Sequence, residues 1–576
     1  MTSNNILWNP ANKSAVIVAL GKRGTSLFLP GDAGYSTAKA IFNIVPKNEP
    51  DFVYECHSVS DVMHAVRTAI HFGLPIAVKS GGCSMEGFST CSGPCIQVSL
   101  SKMKAITVDK ESLYANVSAG AMNVDVYERL FQDELAFVSG TCKGVGYAGL
   151  ALGGGLSLLM RNHGVASDSI LAMQVVLADG RVVMADGTGP HKDLYWALRG
   201  GGNGNFGIVT SFKVRLYSTA KTLFQVWQYK VSKARAAEVF IRWQSWVHGD
   251  AASGMPSLAR ESFSQWGKEG TGADIVRVFY NGTEAAATAA IAPLLKGGGL
   301  TRVATTTPHS ISDCGTMDDW GLNGFNLTWE QAIGCFWNCG QGHVSNLSYP
   351  GAYSRFALYV GSVAQAQAWM SAFDTIHLQE HSACATAIKR VSEGGWADVL
   401  ADSMGGAVNE VMATDERSGA FPHRKTVYSM QFNVFWPADS TDQVIRDCES
   451  WLESVYAAAG SAGISDDAYR NYPSKTLPST GKAGYRRLYY GNNLERLLEV
   501  KAMYDPQSIF SYAQGLSQHP IMPVPLTVPP MPDSYVVHVV TAISLGLLSI
   551  SILISIYRWY LAHTWRPPHY LLTAML

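Results

Sequence analysis

Two cysteines lie inside glycine-rich turns. The first turn reads VKSGGCSMEGFS, residues 78–89, and carries Cys83 at its centre. The second reads SGTCKGVGYAGLALGGGLSLLMRNHGVASDSI, residues 139–170, with Cys142 among Gly140, Gly144, Gly146, Gly149, Gly153, Gly154 and Gly155. A thiolate is the strongest side-chain nucleophile near neutral pH, so either cysteine could add to an electrophilic carbon. A backbone stripped of Cβ atoms lets a flat cofactor approach closely, and its consecutive N–H groups can wrap a diphosphate. Val145, Leu150, Leu152 and Leu156 are interleaved with the glycines, which marks the second turn as ordered. A third cluster, DLYWALRGGGNGNFGIVTSFKVRLY at residues 193–217, again runs from glycines into a strand.

The elements that must hold these turns are legible upstream of the first. DFVYEC, residues 51–56, predicts a short strand. Ser60 is placed to cap a helix whose apolar face carries Val62, Ala65, Val66, Ala69 and Ile70. PIAV, residues 75–78, predicts a second strand that delivers the chain into the turn. Strand, helix, strand, glycine turn is a nucleotide-binding order. Three turns about 50–60 residues apart differ from a Rossmann domain, which concentrates its binding in one G-x-G-x-x-G after its first strand.

The totals set outer bounds. A chain of 576 residues can bury two or three cores. Its 44 Lys plus Arg balance 45 Asp plus Glu, which argues against a nucleic-acid partner. The 10 cysteines show no paired CxxC spacing, so no metal site is expected. Cys83, Cys91 and Cys95 are close in sequence, as are Cys335 and Cys339, which leaves a disulfide reading open. Sequons at Asn12, Asn116, Asn281, Asn326 and Asn346 hint at a lumenal setting.

The ordered motifs resemble the flavin domain of the vanillyl-alcohol oxidase (PCMH) type, and within it the berberine-bridge-enzyme-like oxidases. That family carries R/K-S-G-G-H-S, then G-x-C-x-x-V-G-x-x-G-x-x-x-G-G-G, then D-G, then A-L-R-G-G-G…N-F-G-I-V. Here these stand at Lys79 to Ser84, Gly140 to Gly155, Asp179-Gly180, and Ala197 to Val209. NYPSKTL at 471–477 and YRRLYYGNNLERLLEVKAMYDPQSIF at 485–510 add the C-terminal signature, so the resemblance covers about residues 46–516. It implies an α+β fold: a two-part FAD-binding domain over residues 1–220 with its core at 46–218, and an α/β substrate domain over 221–465. Residues 466–516 would then return to the FAD domain.

The implied activity is oxidation of a small organic molecule, a specialised metabolite, by FAD, with O2 reoxidising the flavin. The implied alternatives are a carbohydrate oxidase, and a flavin-binding protein that shapes or cyclises a substrate without redox turnover. The resemblance assigns FAD contacts to Lys79, Ser80, Gly81, Gly82, Cys83, Ser84, Cys142, Gly146, Gly149, Gly153, Gly154, Gly155, Val209, Tyr490 and Asn493. In the family a histidine of the first turn and a cysteine of the second attach the flavin. Cys142 matches the second position, but Cys83 stands where the histidine would be. FAD is then attached through Cys142 alone or held without a covalent bond, with Cys83 silent, thioether-linked, or paired with Cys91 or Cys95.

Tyr472 matches the tyrosine that removes the substrate proton in several members. A phenol titrates near 10 in water and needs help to act as a base, for which Arg470, Lys475 and His423 are candidate cations. FPHRKTVYSMQFNVFWP, residues 421–437, resembles the substrate-facing strand, with Tyr428, Ser429, Gln431 and Asn433 as candidate contacts. Alternation separates Ser429, Gln431, Asn433 and Phe435 from Tyr428, Met430, Phe432 and Val434. Some relatives carry a glutamate base near Ser429; this strand has no acid. Trp243, Trp246, Trp266, Trp320 and Trp337 suit a large apolar substrate pocket, though core packing accounts for most such residues.

Past the catalytic region, residues 517–534 are a proline-rich linker. YVVHVVTAISLGLLSISILISIY, residues 535–557, carries no Asp, Glu, Lys or Arg and would span about 34 Å as a helix, enough for a bilayer. A single transmembrane helix is expected there, followed by a tail at 558–576. Arg558 and Arg566 favour a cytosolic tail, whereas the lack of a visible leader favours the reverse, so the side of the catalytic region stays open.

Overall fold

The computed structural model describes residues 9–517, apart from 22–25, 44–45, 249–260, 267–273, 304–323, 337–352, 358–361, 379–382, 391–394, 412–417, 438, 464–466, 480 and 482–483. The proline-rich linker and the apolar segment 535–557 lie outside the described residues. Among those described, no helix is long and apolar enough to cross a membrane.

Three sheets organise the chain. The first holds β1 (Pro50–Glu55), β2 (Ile76–Lys79) and β3 (Gly93–Ser99) as parallel neighbours in the order β1-β3-β2, with Leu27–Phe28 antiparallel on the outer edge of β1. Helix α1 (Val59–Phe72) crosses from β1 to β2. Ser58, not Ser60, caps it: its hydroxyl accepts from Asp61 N–H while the Asp61 carboxylate accepts from Ser58 N–H. Gly73 at φ +64° ends it. The buried face carries Val62, Ala65, Val66 and Ala69 as expected, with Thr68 and Phe72 added.

The second sheet is antiparallel, with β4 (Ile106–Asp109), β5 (Tyr114–Ser118), β6 (Ile170–Val176), β7 (Val182–Asp186) and β8 (Ile208–Arg215) in the order β4-β5-β8-β6-β7. One continuous apolar core links both sheets, and residues from the C-terminal helices join it, among them Tyr485, Leu497 and Val500.

The third sheet has a separate core. Its six longer strands are β9 (Phe224–Val231), β10 (Glu261–Trp266), β11 (Asp274–Asn281), β12 (Tyr353–Ala357), β13 (Trp396–Ser403) and β14 (Tyr428–Phe435), and the short strands Leu300–Arg302 and Gly324–Leu327 pair with β9. The six run β9-β11-β10-β13-β14-β12, every pair antiparallel. For Trp243 and Trp246 the core-packing reading holds over the pocket reading. Both pack in the core beneath this sheet, Trp243 against Phe240 and Tyr428, and Trp246 with its indole N–H on Ala290 O at 2.8 Å. The side chains of Trp266, Trp320 and Trp337 lie outside the description.

The chain then returns to the first two sheets through α2 (Leu494–Tyr504). Lys501 anchors the return. Its ammonium donates to Asn205 O at 2.6 Å, Phe510 O at 2.8 Å and Asp505 Oδ2 at 2.5 Å, all out of water. Leu516 N–H closes the same knot on Asn205 Oδ1.

Candidate active site

The first and second glycine turns touch backbone to backbone. A Cβ on Gly81 would lie 2.3 Å from Gly146 N, and one on Gly146 would lie 2.5 Å from Gly81 N. Only glycine fits at either position. The Cys83 thiol donates to Gly144 O at 3.2 Å, which ties the two turns together, and Ser80 Oγ donates to Ala119 O at 2.6 Å. Between them and the third sheet opens one continuous cavity.

Twelve of the residues singled out from sequence line it: Ser80, Gly81, Gly82, Cys83, Ser84, Cys142, Gly146, Gly149, Val209, Gln431, Asn433 and Tyr472. Eight lie outside the lining. Lys79 is buried, its ammonium bonded to the carbonyls of Ala38 at 2.5 Å and Ala40 at 3.1 Å. Burial brings its pKa down to about 8. Gly153, Gly154 and Gly155 press against protein: a Cβ on Gly153 would strike Asn471, one on Gly154 would strike Phe421, and Gly155 N–H donates to Tyr469 Oη. Tyr490 is fully buried, and Asn493 donates to Ala420 O. Tyr428 faces the core, with its hydroxyl 3.2 Å from Gln244 Oε1. Ser429 is buried in β14.

Cys91 and Cys95 form a disulfide with each other, so the pairing of either with Cys83 does not occur. Cys384 and Cys448 form a second bridge. Cys83 and Cys142 are both free. Burial pushes the Cys83 thiol up to about 12 and the Cys142 thiol up to about 11, so both are protonated at neutral pH.

The three cations expected to help Tyr472 are engaged elsewhere. Arg470 donates to Tyr512 Oη at 2.6 Å. Lys475 pairs with Glu449 at 2.5 Å. His423 is held neutral by burial, at about 3, and packs edge-on to Phe421. The charge that acts on Tyr472 is negative. Burial first, then the Asp402 carboxylate, raise its pKa well above the ordinary phenol value.

Asp402 is the acid that β14 itself lacks. It lies on the neighbouring strand β13, directly across from Ser429 in the register. Burial pushes its carboxyl up to about 7. Asp398 shares its face on β13, and its Oδ1 accepts from Asn433 Nδ2 at 2.7 Å. Asp398, Leu400 and Asp402 line the cavity with Gln431, Asn433, Phe435 and Arg277. The signal was present in WADVLADS, where two aspartates four residues apart in a strand share one face.

With this geometry in view, the comparisons are consistent with one another. Residues 50–186 match the profile of an FAD binding domain, and residues 468–517 match the family described as berberine and berberine like. An uncharacterised FAD-linked oxidoreductase of Bacillus subtilis, YgaK, is 27% identical over 84% of this chain and 95% of its own length. A carbohydrate oxidase of Microdochium nivale is 26% identical over 88% of this chain and 95% of its own. The solved structure of Physcomitrella patens BBE-like 1 superposes with a TM-score of 0.70 at 26% identity, covering 88% of this chain and all of that one. This chain is an FAD-linked oxidoreductase similar to the berberine-bridge-enzyme-like proteins.

The cavity fits an FAD cofactor on its own geometry. Both glycine turns and the free Cys83 and Cys142 line this one cavity, and the buried Arg470 guanidinium that also lines it suits the charge of a diphosphate.

The raised Asp402 pKa has a consequence for stability. An unfolded aspartate ionises near 3.9, so between about pH 4 and 7 the unfolded chain releases a proton that the folded protein keeps. Stability from protonated Asp402 is therefore lost as pH rises through that window, by about 2–4 kcal/mol in full. Asp402→Asn should raise the thermal midpoint relative to wild type at pH 8 but not at pH 4. A pH-independent offset would contradict the assignment.

Proposed function

We propose that this protein is an FAD-dependent oxidase of a small hydroxyl-bearing organic molecule, with O2 as the final electron acceptor and H2O2 as by-product. Its carrying observation is the placement of Asp402 and Tyr472 in the same cavity as the glycine turns. When bound, FAD supplies the two-electron acceptor for the substrate's hydride.

The chain's own residues handle the proton. Tyr472, kept neutral, donates a hydrogen bond that orients the substrate oxygen. Asp402, with a pKa of about 7, is ionised in a large fraction of molecules at neutral pH and takes the hydroxyl proton, directly or through the phenol. The same low-dielectric wall that makes Tyr472 a poor base by itself makes Asp402 a better one, because desolvation raises a carboxylate's proton affinity. Leu400 and Phe435 provide the apolar part of the wall.

A carbohydrate as substrate is the second reading, and one observation favours it. The cavity face of the third sheet presents Arg277, Asp398, Gln431 and Asn433, a set of donors and acceptors suited to several hydroxyls. The Microdochium relative's name points the same way.

We also propose the segment 535–557 as a membrane anchor, on its sequence alone. The Cys91–Cys95 and Cys384–Cys448 bridges support folding of the catalytic body in an oxidising compartment, which agrees with a cytosolic tail carrying Arg558 and Arg566.

Two experiments follow. Offered a panel of alcohols and sugars, the purified enzyme should form one H2O2 per substrate oxidised, with a rate that climbs as pH passes about 7. Asp402→Asn should lose that climb and about 10²–10⁴-fold in rate; a flavin that no member of the panel reduces would sink the oxidase reading. Protease added to sealed vesicles that keep cellular orientation should spare the catalytic body and trim only the tail, and digestion of the body would overturn the topology.

A further inference from the structure

Arg470 is a buried cation whose described partners include no carboxylate. It is 6% exposed and lines the cavity. Its Nη2 donates to Tyr512 Oη at 2.6 Å, and its guanidinium lies 5.1 Å from the Tyr512 ring centre, 5.7 Å from Tyr489 and 5.9 Å from Phe88. Its Nε has no hydrogen-bond partner among the described residues. Rings and phenols hold a guanidinium in place but do not cancel its charge. Burying an uncompensated charge is costly, so a residue kept this way implies a counter-ion that arrives with a ligand.

The position of Arg470 says which anion. A Cβ on Gly202, in the third glycine turn, would lie 3.2 Å from its Nε. On its other side Phe88 ends the first glycine turn, where Phe88 N–H donates to Ser84 Oγ at 2.9 Å. The guanidinium therefore stands where the first and third turns converge. Glycine turns offer backbone N–H groups to phosphate oxygens, and the planar fork of arginine matches the same oxygens.

We propose that Arg470 is the charge partner of the cofactor's diphosphate, clamped from the third turn and oriented by Tyr512. This rests on the reading of the cavity as the FAD site. Tyr512 fixes the fork, Tyr489 and Phe88 shield it from water, and the glycine turns complete the phosphate shell.

Titration calorimetry on apoprotein from a flavin-limited host tests it, with FAD and riboflavin as probes. Riboflavin carries the ring without the diphosphate. Arg470→Met should weaken FAD by about 10–100-fold and leave riboflavin within about twofold. Arg470→Lys should lose less than Arg470→Met, because the charge remains while the fork is gone. Tyr512→Phe, which keeps the ring and the charge, should weaken FAD a few-fold and again spare riboflavin, and it serves if the Met variant does not fold. Equal losses for both probes would place the guanidinium on the ring and overturn the proposal, as would unchanged FAD affinity. Wild-type apoprotein that binds neither probe would instead overturn the cofactor reading itself.

Discussion

The contact between Gly81 and Gly146 is the constraint on which the rest depends. Two backbones meet at a separation that any Cβ would breach, and no side-chain movement could relieve the clash because the opposing atoms are main chain. That contact locks the turn after β2 of the first sheet onto the turn between β5 and β6 of the second. Cys83 and Cys142, 59 positions apart in the chain, reach one cavity as a result. An alanine at either glycine would force the turns apart and open the cradle at its narrowest point.

The third sheet supplies what the turns cannot. A cradle of backbone N–H groups binds but has no base. Antiparallel pairing of β13 with β14 sets Asp402 across from Ser429 and Asp398 across from Asn433, so carboxylates from one strand stand beside amides from the next. One face of that sheet is a dry core of Trp243, Tyr428 and Phe432, and the other is a polar wall. A slip of one residue in register would exchange the two faces.

Much of this was legible in the sequence because glycine and alternation are strong signals. The clusters marked the cavity's backbone wall, and the period-2 pattern of β14 correctly separated Gln431, Asn433 and Phe435 from Met430, Phe432 and Val434. Gly153, Gly154 and Gly155 misled because a glycine that admits a protein neighbour reads the same as one that admits a cofactor. Their neighbours, Asn471, Phe421 and Tyr469, come from more than 200 residues away. Asp402 is not legible from β14, the strand that carries the resemblance, because the acid comes from the adjacent strand through pairing that no local pattern reveals. The environment of Tyr472 was hidden for the same reason. Charged neighbours at 470, 475 and 423 are visible in the sequence, yet each is occupied elsewhere, and the carboxylate that acts on the phenol is 70 positions away.

The central claim is that Asp402 and Tyr472 act on the substrate's proton and not on the return of electrons to O2. Rapid mixing separates the two half-reactions. Flavin reduction by substrate without O2 should slow by at least about 100-fold in Asp402→Asn and Tyr472→Phe. Reoxidation of the chemically reduced variants by O2 should stay within about threefold of wild type. Variants that reduce at the wild-type rate but reoxidise slowly would show that the pair serves oxygen chemistry, and its assignment to the substrate's proton would be wrong.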